Sequence, residues 1–293
     1  MNYIEIDKNK CTHCGLCIND CVTKCLASGD DDIPKMIKPS SCISCQHCLS
    51  VCPASAISFN GIIPDECEDA NKTKIKPEEI LSLIKNRRSI RQFSDEEISE
   101  DTWTKLKEMF PYIPTGCNSH SLHFSIVRNK EVMKTLKDKV NSTILKALSF
   151  PLLSPLAKKF SHAKTAFEKG EDIIFRGAPH LIVVSSPITA PCAPTDPIIA
   201  LSYIELYAKS LGLGTCWCGY GEICVKLIPE LCEILEIPKG YTPVYTMLIG
   251  YPAVKYQKIP KPINYKITEI KDTLPKESCI FCKAKRLFTN FIR

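Results

Sequence analysis

Eight cysteines in two matched runs constrain this chain more than any other feature. Cys42, Cys45 and Cys48 stand at intervals of three, and Cys52 follows four residues later, directly before Pro53. Cys11, Cys14, Cys17 and Cys21 repeat the spacing, with Val22 where the proline would be. A compact loop with this spacing aims three sulfurs at one iron–sulfur cube, while the fourth points away and needs a partner run. Structural zinc takes cysteines in pairs and has no use for a triplet with a crossed fourth. Disulfides require an oxidising compartment, and no secretory signal is evident. Two iron–sulfur clusters in a reducing, cytoplasmic setting are what the spacing favours.

The two runs resemble those of the two-cluster bacterial ferredoxins, in which the fourth cysteine of each run ligates the other cluster. The resemblance implies Cys11, Cys14, Cys17 and Cys52 on one 4Fe–4S cluster, and Cys42, Cys45, Cys48 and Cys21 on the second. Around them, Tyr3–Ile6 and Ala56–Phe59 alternate apolar and polar residues, so a short strand opens the module and another closes it. A half-repeat of about thirty residues cannot bury a core of its own, and bound metal substitutes for one. The module is therefore expected to be unfolded without its clusters.

The 293 residues allow about two domains. No stretch approaches the ~20 apolar residues of a membrane span. Charge is uneven: residues 1–60 carry five lysines against six carboxylates, and residues 255–293 carry ten Lys/Arg against three Asp/Glu. No aromatic platform accompanies the basic tail, which argues against nucleic acid as a partner. The expected organisation is a cluster module at 1–60, a linker at 61–77 holding the spectator Cys67, and a second domain at 78–293.

In that domain Pro77 and two glutamates open an amphipathic helix. Ser94 to Glu97 reads as a capping box for a helix through Trp103 to Met109. Leu122–Val127 alternates as a strand, and helices broken by prolines fill Glu131 to Gly170. Ala178–Val184 and Pro243–Ile249 read as strands buried on both faces. Thr195-Asp-Pro197 caps a helix from Ile198 to Leu211, apolar all round and stopped by Gly212 and Gly214. The pattern is α+β, a central mixed sheet flanked by helices.

Four segments in order, Arg87-Arg-Ser-Ile-Arg91, Pro114-Thr-Gly-Cys-Asn118, Gly212-Leu-Gly-Thr-Cys-Trp-Cys-Gly219 and Gly250-Tyr-Pro252, resemble the FMN-dependent nitroreductase family. With the cysteine runs, the whole chain resembles the ferredoxin–nitroreductase fusions of anaerobic bacteria. The resemblance implies that Arg87, Arg88 and Ser89 hold phosphate or ribityl groups and that Arg91 reaches the pyrimidine edge. It also implies that Thr115, Gly116 and Asn118 meet the flavin, and that Trp217, Cys218 and Gly219 pass beside it, where a backbone N–H meets N5. Lys258 replaces the arginine that the family uses after Gly-Tyr-Pro, with charge but no bidentate fork. His120 stands where the family often has glutamine and reads as a structural histidine or a proton donor. Cys117, Cys216 and Cys218 read as packing.

The expected activity is an FMN-dependent oxidoreductase. Electrons from a ferredoxin-like or other donor pass through two clusters to FMN and on to a small organic acceptor. The family relation implies a homodimer. The same cofactors also allow a non-catalytic electron carrier or redox sensor. The stretch Ile144 to Leu156 is too apolar for an exposed loop and too broken by Pro151 and Pro155 for a core helix, so Leu148, Phe150 and Leu152 are candidates for lining the acceptor cleft. Cys279 and Cys282 have the spacing of a redox pair or half a metal site.

Anaerobically purified protein should carry about eight iron atoms and eight inorganic sulfides per chain. Cys21→Ala should remove or convert the cluster of Cys42, Cys45 and Cys48. Loss of the Cys11, Cys14 and Cys17 cluster instead would refute crossed ligation.

Overall fold

Three-residue strands frame the cysteine runs. β1 (Ile4–Ile6) pairs antiparallel with a closing strand at Ile57–Phe59, in the register Ile4 to Phe59. A second hairpin joins β2 (Leu26–Ser28) to β3 (Pro34–Met36), and the closing strand is β4. Sequence reading misses this hairpin, because its strands are too short for a period to register and one starts on a proline. Helices α1 (Leu16–Asp20) and α2 (His47–Ser50) begin inside the two cysteine runs. His47 Nδ1 and Asp20 Oδ2, 3.1 Å apart, tie the two halves together. The buried core here is Cys17, Leu26, Leu49, Ile57 and Phe59, as small as the repeat length requires.

The computed structural model describes residues 2–29, 31–72, 74–149, 161–263 and 265–270, in two units, Met1–Tyr256 and Gln257–Arg293. In the second unit the described residues are coil, with Ile263, Tyr265, Ile267 and Ile270 exposed.

In the first unit, α3 (Pro77–Asn86) has Pro77 and two glutamates in its first turn, as its sequence requires. The next helix starts later than expected. α4 (Glu100–Glu108) is capped by Ser99, whose Oγ accepts the Thr102 N–H at 3.2 Å. The Ser94 capping box is therefore corrected. Ser94 donates its backbone N–H to Tyr251 O, which holds this stretch extended beside the last strand.

The sheet has the order β5 (His123–Val127), β6 (His180–Pro187), β8 (Tyr241–Gly250), β7 (Gly214–Trp217), every neighbour antiparallel. Ser89 adds a parallel bridge to Thr215, which makes the sheet mixed at that edge. Among the described residues five helices follow in sequence: α5 (Lys130–Ser149), α6 (Ser161–Glu168), α7 (Asp196–Ser210), α8 (Gly219–Leu227) and α9 (Pro229–Ile234).

Alternation along β6 and β8 feeds two cores. Leu181, Val183 and Leu248 meet Met133 and Leu136 of α5 and Val225 of α8. Ile182, Val184, Met247 and Ile249 meet Trp103 and Leu106 of α4 and Leu201 and Ile204 of α7. Each such side chain buried is worth about 1.5–3 kcal/mol. Burial on both sides explains why β6 reads as one continuous apolar run. α7 is not apolar all round, however. Ser202, Tyr203 and Lys209 are exposed, Asp196 and Glu205 are buried, and Thr195 makes no side-chain cap bond.

His180 opens β6 with its ring 5.4 Å from the Trp103 ring, edge to face. Neither ring nitrogen finds a hydrogen-bond partner among the described residues. Burial lowers its pKa from the ordinary 6.5, so the folded protein holds it neutral. Below pH 6.5 the unfolded chain binds a proton that the native state refuses, and stability falls as pH drops through that value. Replacing the group should remove that loss. The stability difference between wild type and His180→Phe should shift in favour of the variant from pH 7.5 to about 5.5, read from urea melts of both proteins. A difference that stays constant with pH would contradict this account.

Candidate functional site

The two cysteine runs share one backbone pattern. His13 and Gly15 flank Cys14 with φ of 55° and 69°, and Ser44 and Gln46 flank Cys45 with φ of 54° and 58°. Left-handed residues alternating with right-handed ones turn successive N–H groups into a concavity, as anionic iron–sulfur sites need. A non-glycine residue in that region costs roughly 1–2 kcal/mol, so the pattern persists only where something enforces it. The fourth cysteines match as well. Cys25 N–H donates to Cys21 Sγ at 3.2 Å and Ala56 N–H to Cys52 Sγ at 3.3 Å, each from four residues on.

Cys11, Cys14, Cys17 and Cys52 line one small cavity of the module. Cys21, Cys42, Cys45 and Cys48 line another. The residues fit two 4Fe–4S clusters in donor type, number and backbone support. Burial pushes the Cys48 thiol up to about 11, so iron has to draw the thiolate out. Sequence reading missed Cys25, a buried fifth sulfur at the second cavity, 2.9 Å from Thr23 Oγ1. Its offset from Cys21, matching that of Ala56 from Cys52, was the available signal.

Helix α7 organises the second part of the site. Asp196, in its first turn and 2% exposed, accepts the Gly116 N–H on both carboxylate oxygens, at 3.1 and 3.0 Å. Further along, Glu205 Oε1 accepts from Arg87 Nη1 at 3.0 Å. Nine residues of helix separate these contacts, about 14 Å along the axis. The Arg87–Phe93 segment then runs beside β7. Ile90 N–H donates to Thr215 O at 2.8 Å, and Phe93 bridges Pro252. Side-chain-free backbone permits the close fits: a Cβ on Gly214 would lie 2.5 Å from Ile90 Cγ1, and one on Gly116 would lie 2.5 Å from Cys192 Sγ.

The loop after Gly116 is strained. Cys117, Asn118 and His120 all have positive φ, 52°, 53° and 44°. Thr115 Oγ1 accepts the His120 N–H at 3.0 Å, and His120 Nε2 lies 2.9 Å from Asn118 Oδ1. Asn118 Nδ2 donates to Ile43 O, in the second cysteine run, at 3.0 Å. His120 thus holds Asn118. After these bonds Asn118 retains one N–H and one lone pair for a ligand.

A model described as the nitroreductase family matches residues 84–251. The chain belongs to the nitroreductase family. A second model, the 4Fe-4S dicluster domain, matches residues 3–53. The FMN reductase (NAD(P)H) of Bacillus subtilis strain 168 is 29% identical over 189 residues, which are 62% of this chain and 70% of that protein. A solved nitroreductase with bound FMN from Desulfitobacterium hafniense DCB-2 aligns at 27% identity with a TM-score of 0.54, over 68% of this chain and 100% of that one. The 7Fe ferredoxin of Hydrogenibacillus schlegelii is 38% identical over 50 residues, 17% of this chain and 62% of its own.

Within the nitroreductase domain the candidate flavin residues divide. Arg91 is exposed at the β7 edge, and Arg87 is shared with Glu205. Arg88 turns its Nη1 to the Arg87 carbonyl at 3.1 Å. Burial raises the Cys216 thiol while Arg91 and Arg176 oppose it, which adds Arg176, unnoticed in the sequence, to the cations at this edge. Cys218 spends its N–H on Thr246 O and its thiol on Ile174 O. Gly219 opens α8, where the first amides lack intrahelical partners. Trp217 packs edge to face on Tyr245 at 5.2 Å. Lys258 is exposed in the second unit.

Two expectations are corrected. Cys117 is exposed, not packed, because its left-handed backbone turns it outward on the loop. The stretch from Ile144 is helical through Ser149, with Ile144 and Leu145 against the first core, since the prolines come only afterwards. Leu148 is half-buried at the end of α5. Phe150, Leu152, Cys279 and Cys282 lie outside the described residues.

The two arginines should separate experimentally. Arg87→Ala strands Glu205 and should cost about 2–3 kcal/mol in a denaturant melt, less than a fully buried pair because solvent reaches Arg87. Arg91→Ala should leave stability nearly unchanged while weakening flavin retention by roughly 1.5–3 kcal/mol. Full flavin occupancy of Arg91→Ala at low concentration would place the contact elsewhere.

Proposed function

We propose that this chain accepts electrons singly from a ferredoxin-like or other one-electron donor and delivers them in pairs to a flat, apolar organic acceptor such as a nitro compound. It is a flavin-dependent oxidoreductase of the nitroreductase family whose cofactors are FMN and two 4Fe–4S clusters. What supports the reading most is that two cysteine-lined cavities, one with four cysteines and one with five, share one compact unit with the nitroreductase domain.

When bound, the clusters supply one-electron steps and FMN converts two of them into a pair. The rest is positioning. Arg87, Arg88 and Ser89 bind phosphate and ribityl groups by charge and hydrogen bonds. Arg91, Thr115, Gly116 and Asn118 orient the ring, and Gly219 offers its amide beside Trp217 and Cys218. Leu148, at the end of α5, excludes water over the acceptor. The cluster module spans residues 1–60 and the flavin domain begins after the linker, at 78.

A second copy of the chain completes the assembly. Ile80, Leu81 and Ile84 of α3 and Tyr220, Ile223 and Leu227 of α8 are all exposed, an apolar surface that suits a homodimer. No helix among the described residues is long and apolar enough to cross a membrane, in keeping with a cytoplasmic enzyme.

Stopped-flow mixing decides the matter. Reduced ferredoxin should bleach the clusters and then the flavin, and a nitroaromatic acceptor should reoxidise both. NAD(P)H reducing the flavin equally fast in wild type and in a variant stripped of both clusters, with equal turnover, would remove the clusters from the path.

A further inference from the structure

Ile43 lies between two cysteines of the second run, Cys42 and Cys45, and its carbonyl receives the Asn118 amide across 75 residues of sequence. Three contacts aim that amide. Asp196 fixes Gly116, Thr115 Oγ1 fixes the His120 backbone, and His120 Nε2 holds the amide oxygen. The hydrogen bonds of the Cys11–Cys17 run among the described residues stay inside the module, as in Cys11 N–H to Asp7 O at 2.9 Å.

We propose that the cluster of Cys21, Cys42, Cys45 and Cys48 is the one that exchanges electrons with the flavin, and that Asn118 is the positioning residue that sets this contact. The cluster of Cys11, Cys14, Cys17 and Cys52 stands upstream of it. The inference rests on the cofactor reading above. One peptide unit joins Cys42 to the Ile43 carbonyl, and a single hydrogen bond then reaches the flavin loop. Each transfer oxidises the second cluster by one electron, and the first cluster restores it at the expense of the one-electron donor. Two such electrons, with protons from solvent, reduce the flavin.

Electron paramagnetic resonance of the dithionite-reduced holoprotein, with FMN present and with FMN removed, tests this. Cys45→Ser and Cys14→Ser each shift or delete one cluster signal and so name it. The signal named by Cys45→Ser should change when FMN is removed, and the one named by Cys14→Ser should not. Asn118→Asp keeps the side-chain shape and loses the donor. Saturated with FMN and with both clusters intact, it should slow flavin reduction by the clusters about tenfold. A response of the Cys14-named signal alone, an equal response of both, or an unchanged rate in Asn118→Asp would overturn the proposal. If a serine variant loses its cluster, the surviving signal belongs to the other and the same comparison applies. Protein purified anaerobically without FMN or without iron would instead sink the reading beneath it.

Discussion

Two buried carboxylates on one helix hold the flavin side of this protein together. Asp196 and Glu205 sit in α7, and neither tolerates burial without a partner, because an unpaired charge out of water costs several kcal/mol. Each therefore fixes a piece of chain from far away in sequence: the Gly116 amide for one, the Arg87 guanidinium for the other. The helix sets the spacing between them, since its rise per residue does not adjust. α7 is itself immobilised by Ala200, Leu201, Ile204 and Ala208, all fully buried. The chain then turns through Gly212 into β7, which receives the Ile90 amide. Three of the four family segments are thus attached to one rigid body, and Phe93 ties in the fourth through Pro252.

The cluster module rests on a different economy. Its buried core is a cluster of five side chains, with Cys25 and Ala56 also buried, far below what offsets the ordering of sixty residues at about 1–2 kcal/mol each. Yet its backbone holds His13, Ser44 and Gln46 in left-handed conformations, which add to the deficit. A chain that spends stability on turning amides inward, with so little core, derives its fold from what those amides and sulfurs bind. The N–H to sulfur contact at Cys21 belongs to the same design: burial pushes that thiol up, and the Cys25 N–H is foremost among the hydrogen bonds that bring it below its ordinary value.

Much of this was legible in the sequence where a residue pattern has one physical cause. The cysteine spacing named the cluster chemistry, and the apolar runs from Ala178 and Pro243 named the two central strands. Legibility failed where the cause lies far away in sequence. Nothing local says that Asp196 faces Gly116 and not the end of its own helix, or that Glu205, on a helix that reads as apolar, pairs with Arg87. Ser94, with Glu97 three residues on, reads as the cap by sequence, but its backbone bond to Tyr251 holds it outside the helix and leaves Ser99 as the cap. Arg176 stands outside every motif and reaches the site only because its loop folds back to β7.

The loop from Gly116 to His120 shows how the two halves of the chain depend on each other. Positive φ at Cys117, Asn118 and His120 costs roughly 1–3 kcal/mol each, and no glycine relieves it there. An isolated loop would relax. What opposes relaxation is a set of contacts from three directions: Asp196 from α7, Thr115 from within the loop, and Ile43 from the cysteine run. A net hydrogen bond is worth about 1 kcal/mol, comparable to one strained residue, so removing any one contact shifts the balance toward a relaxed loop. The Ile43 carbonyl is held in place only while Cys42 and Cys45 keep their run folded. Under the proposed cluster assignment, the conformation of Asn118 is linked to the state of the second cluster through a single carbonyl oxygen.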